Sequence, residues 1–77
     1  MNIEVGDKLK FDYGPDHVSN KTLHVRAIID KEYIVWRRWY KGCGWYYGVE
    51  TDYYFYLAAE NGNLKRNGKR VRGEDLG

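Results

Sequence analysis

The chain has one cysteine and one proline in 77 residues. A single thiol excludes an intrachain disulfide, so a domain this short has no covalent staples. That usage points to a reducing, cytoplasmic setting. No apolar run approaches the roughly 20 residues that a membrane span needs. The opening MNIEVGDKLK has no apolar signal core. Neither a membrane association nor a targeting segment is expected. Metal ligands are scarce as well: His17, His24 and Cys43 form no CxxC or HxxxH pair. Phosphate loops, GxGxxG, GxSxG and HExxH are missing too. No metal, cofactor or enzymatic activity is expected. Charge of one sign is also lacking, with 13 Lys and Arg against 11 Asp and Glu and a net +2. A histone-like polyanion binder would carry far more.

What the chain has in excess is aromatic side chains. Of three Trp, eight Tyr and two Phe, all but Phe11 and Tyr13 fall between positions 33 and 56. A short chain buries only about 60% of its unfolded surface, and large rings offset that shortage. A core this small takes up about half of them. The remainder must lie at the surface, and rings beside arginine are suited to binding.

Helix signals are sparse. Val, Ile, Tyr and Trp are broken every eight to twelve residues by Gly, Asn and Asp. That spacing predicts an all-β domain. Residues 1–77 make one domain, with 63–77 as a basic hairpin or partly flexible tail. Strands are predicted over 8–11, 22–29, 33–40, 45–51 and 54–58, with a last short hairpin at 64–71. The segment DYGPDHVSN reads as a long polar loop. About five short antiparallel strands joined by hairpins suggest a small SH3-like barrel, with an OB-like barrel as the alternative. VGDKLKF, followed by LHVRAIID and YIVWRRWY, resembles the small SH3-like barrel proteins common in phage and prophage genomes. The resemblance spans about residues 3–62 and implies a non-enzymatic accessory protein, some of which inhibit host machinery. It implies no particular site.

The central hairpin register follows from its turn. A four-residue loop at 41–44 pairs Tyr40 with Trp45, Arg38 with Tyr47 and Trp36 with Val49. Ile34, Trp36, Tyr47 and Val49 then face the core, joined by Leu23, Val25, Ala27 and Ile29. Trp39, Tyr46 and Arg37 face outward, with Glu50 diagonal to Arg37. Arg37, Trp39 and Tyr46, with Arg38, Tyr40 and Trp45 around them, are the candidate binding residues. The plainer reading is a ring pair that only shields the sheet. Lys65, Arg66, Lys69, Arg70 and Arg72 form a second candidate that could grip phosphates, although charge runs are usually solvated surface. Cys43 lies near Lys41 and Arg38, which favour a thiolate, but a turn residue is the simpler role. Glu50 and Asp52 share a strand face and read as surface acids.

These features favour a binding module of phage type that engages a host protein through the aromatic–arginine patch. The alternative is a single-stranded DNA or RNA binder using the same patch and the basic cluster. Mixed surface charge weighs against the alternative, because sequence-independent binding needs a continuous positive groove.

Overall fold

Alternating apolar residues pair the strands into one antiparallel sheet of order β4-β3-β2-β1-β5-β6 in a computed structural model, which describes residues 2–15, 17 and 20–76. The strands are β1 (Lys8–Phe11), β2 (Thr22–Ile29), β3 (Tyr33–Tyr40), β4 (Gly44–Thr51), β5 (Leu64–Arg66) and β6 (Lys69–Arg70). Two helices complete the chain, α1 (Asp52–Glu60) and α2 (Gly73–Leu76). The protein is thus mostly β, with six strands rather than five, and the sheet does not close. The first three strands fall where the sequence places them. Asp16, Val18 and Ser19 of the expected polar loop lie outside the described residues. Among the described residues no helix is long and apolar enough to cross a membrane.

The core lies between the sheet and α1. Leu9 and Phe11 from β1, Leu23 and Val25 from β2, Ile34 from β3 and Leu64 from β5 project from one face. Phe55, Ala58 and Ala59 descend onto them from α1, and Leu76 of α2 closes one end. Phe55 stacks on Phe11, with ring centroids 5.9 Å apart. The overall extents are 36 × 30 × 17 Å. The shortest is about the depth of one sheet plus one helix, so among the described residues no second layer covers the far face.

The expected strand at 54–58 is instead part of α1. Aromatic residues in TDYYFY favour a strand locally. The spacing of Phe55, Ala58 and Ala59 is helical, and burying those three together on the sheet outweighs the local preference.

Two further expectations about register are corrected. The hairpin loop has three residues rather than four: Tyr40 pairs with Gly44 and Trp39 with Trp45. Gly42 and Gly44, at φ 87° and 93°, let the chain reverse one residue early. A one-residue slip turns a strand over. Tyr47 and Val49 therefore face away from the core, and Tyr46, Gly48 and Glu50 face the helix side. In β2 a bulge between Val25 and Ala27 makes Arg26 an extra residue. Beyond it the phase changes, so Ile28 packs on the core and Ile29 is exposed. Trp36 consequently sits beside Val25 and Gly48, not Val49.

Gly48 is required by that arrangement. A Cβ there would lie 2.3 Å from Cζ2 of Trp36. The indole occupies the space of the absent side chain.

The basic cluster at 65–72 is partly consumed by structure. Arg66 pairs with Asp7 at 2.9 Å, and Asp7 is buried. Asp7 also accepts from the Glu4 backbone N–H at 2.9 Å and from Asn67 Nδ2 at 3.1 Å. Lys65 and Arg70 both reach Asp12, at 3.2 and 3.0 Å. The Gly14 backbone N–H, then Lys65 and Arg70, hold the Asp12 carboxyl below the usual carboxylate range. These pairs anchor β5 and β6 to the start of the chain. Lys69 and Arg72 are exposed.

Candidate aromatic–cationic sheet face

Strand alternation sorts the candidate residues onto two sides of the sheet. Arg37, Trp39 and Trp45 lie on the uncovered face. Arg38, Tyr40 and Tyr46 lie on the helix side. The expected neighbours Trp39 and Tyr46 are separated by the sheet, and Trp45 takes the place of Tyr46. Glu50 leaves the outer face with Tyr46, so it does not lie diagonal to Arg37.

On the uncovered face β3 and β4 present their rings side by side. Trp39 and Trp45 meet edge to face, 5.3 Å between centroids and 75° between planes. Arg37 lies 3.9 Å over the Trp45 ring and donates from Nη1 to the Tyr47 hydroxyl at 3.2 Å. Cation–π contact and a hydrogen bond hold the guanidinium between Trp45 and Tyr47. His24, opposite Arg37 on β2, meets Trp45 edge-on at 5.5 Å. Trp39 is 58% exposed, Tyr47 55% and Trp45 42%. These rings are positioned by strand pairing and are not spent on the core.

Cations converge on the same place. Burial pushes the His24 pKa below its ordinary value, and Lys8, Arg37 and Arg26 push it further in the same direction. Lys8 is the cross-strand partner of His24, and Lys10 projects from the same face one step along β1. Arg26 arrives through the bulge. Among the described residues, the strand positions on this face carry no carboxylate. Asp12, just past β1, is occupied by Lys65 and Arg70. The charges that look mixed along the sequence are segregated in space. Sequence reasoning missed Lys8, His24 and Arg26 because they come from other strands, and Tyr47 because the hairpin register turns β4 over. The alternation of Lys8 and Lys10 with Leu9 and Phe11 was the available signal.

On the helix side Arg38 lies 4.0 Å over the Tyr40 ring, and Tyr40 meets Tyr46 edge to face at 5.7 Å. Trp36 and Tyr46 lie 6.2 Å apart. The Trp36 Nε1 and Arg37 Nε atoms are closed to solvent without a hydrogen-bond partner. Cys43 is exposed at the hairpin tip.

His24 gives the site a pH signature. The folded protein resists protonating it, whereas the unfolded chain protonates near pH 6.5. The unfolded state therefore binds more protons below that value, and stability falls as the pH drops. Melting temperatures from about pH 7.5 to 5 should fall more steeply for the native chain than for His24→Gln. Parallel curves would show that His24 is not in this environment.

No protein-family model, curated protein or solved structure matches the chain.

Proposed function

We propose that the chain is a non-enzymatic binding module whose uncovered sheet face takes single-stranded nucleic acid. The observation that carries this reading is the convergence of Lys8, Arg26 and Arg37 around His24, directly against exposed Trp39, Trp45 and Tyr47. Bases stack on the rings, and each stack contributes about 1–3 kcal/mol. Phosphates are neutralised by Lys8, Lys10, Arg26 and Arg37. The ring-to-cation spacing is set by strands, so the surface is rigid before the ligand arrives. Bases must be unpaired to reach such a surface.

One feature favours a protein partner instead. Ile29, Tyr33 and Val49 are 50%, 39% and 56% exposed near the β2–β3 turn end of the face. An apolar end beside a Trp–Arg centre suits a protein interface. In that reading the chain is a phage-type accessory or inhibitor that engages a host protein in the cytoplasm. The strand order, with β1 between β2 and β5 and a helix before β5, is compatible with an SH3-like barrel opened along one seam.

Titration of tryptophan emission with single-stranded DNA and RNA over a salt series tests the proposal. The expected result is binding whose log affinity falls linearly with log salt. An absence of binding at low salt rejects nucleic acid and leaves the protein partner.

A further inference from the structure

The helix side of the sheet carries a cavity of about 360 Å³. Small-molecule sites occupy roughly 300–1,000 Å³. Trp36 and Tyr46 form one wall. Tyr54, from the first turn of α1, stands on the other with Phe11, 5.6 Å from it edge to face. Phe11 belongs to the core and Trp36 packs against it, whereas Tyr46 and Tyr54 are exposed and line the slot between the two walls.

Charge is distributed along this slot, not around it. Arg38 and Lys21 line the end near the hairpin tip, where β2 starts and β3 finishes. Glu50 lines the opposite end, paired with Ile34 four residues back from Arg38 on β3. Four strand residues span roughly 13 Å. Burial first, then Tyr13 and Glu50, push the Tyr54 pKa up, so Tyr54 stands at the acidic end.

We propose that this slot binds a nucleoside monophosphate, either free or as the phosphorylated terminal nucleotide of a strand. The base stacks between Trp36–Tyr46 and Tyr54, the phosphate meets Arg38 and Lys21, and Glu50 accepts N–H groups from the far edge of the base. Two cations at one end recognise an anion, rings in the middle recognise a plane, and a carboxylate at the other end recognises donors. Guanine offers two adjacent N–H donors to the two carboxylate oxygens, so guanosine monophosphate binds more tightly than its adenosine or uridine counterparts. The site lies on the opposite side of the sheet from Arg37, Trp39 and Trp45 and does not depend on them.

The test is a two-dimensional NMR titration that follows the three indole N–H signals. Guanosine monophosphate is expected to move the Trp36 signal and leave those of Trp39 and Trp45 in place. Arg38→Ala should weaken binding roughly tenfold. Glu50→Gln should remove the preference for guanosine over adenosine monophosphate while retaining binding. Lys31→Ala, in the exposed β2–β3 turn, should change neither. A dinucleotide carrying a 5′-phosphate is compared with the free nucleotide, and tighter binding by either assigns the source. The proposal is overturned if Trp36 stays still up to about 1 mM nucleotide. It is also overturned if inorganic phosphate alone reproduces the shift, or if only Trp39 and Trp45 move.

Discussion

Phe55→Ala is expected to unfold the domain. Phe55 is fully buried, stacks on Phe11 and meets Tyr54 edge to face at 5.8 Å. Removing a buried phenyl ring costs about 3–5 kcal/mol in lost burial and residual cavity. A chain of this length has roughly 4–12 kcal/mol in total. Leu57, two residues on, is 41% exposed. Leu57→Ala should therefore stay within about 1 kcal/mol. A strand would place residues 55 and 57 on the same face, whereas the helix separates them. Denaturant melts of both variants read this directly. Equal losses would mean that the segment is a strand after all.

Replacing Lys8, Lys10, Arg26 and Arg37 together with Gln should lower affinity for a single-stranded oligonucleotide by at least about 100-fold at low salt. Each neutralised phosphate contact contributes about 0.7 to the log–log salt slope on single strands, so the slope should flatten by about 3. Trp45→Ala should behave differently, costing about 1–3 kcal/mol of binding at every salt concentration and leaving the slope unchanged. Both variants should keep the fold, because the positions lie outside the core. Fluorescence anisotropy of a labelled oligonucleotide measures all of these quantities. If neither variant changes affinity, the sheet face is not where nucleic acid binds. If Trp45→Ala abolishes capture of a protein partner while the quadruple change leaves it intact, the face is a protein interface.

Much of the β framework was legible locally. Leu9 and Phe11 alternating with Lys8 and Lys10, and Leu23 and Val25 alternating with His24, gave strands and their inward faces. Asn61-Gly62 marked the turn before the last hairpin and Asn67-Gly68 its tip. The candidate site was half legible. Arg37 and Trp39 follow from the alternation of β3, which the structure keeps. Their true neighbours do not, because β4 is turned over by one residue at the hairpin.

The sequence alone determined a β-rich chain without an intrachain disulfide, the span of its first three strands and a surplus of rings near arginine. These depend on side-chain period and on turn residues, which act over a few positions. Tertiary structure decided the rest. The bulge at Arg26 and the early reversal at Gly42 and Gly44 are each one-residue events, and only packing of the whole sheet selects them. The same packing made a helix of Tyr-rich α1, because Phe55, Ala58 and Ala59 bury together only in that form. It also drew Lys8, Arg26 and Arg37 around His24 while binding Lys65, Arg66 and Arg70 to acids. Strand pairing, not sequence neighbourhood, fixes which charges share a face.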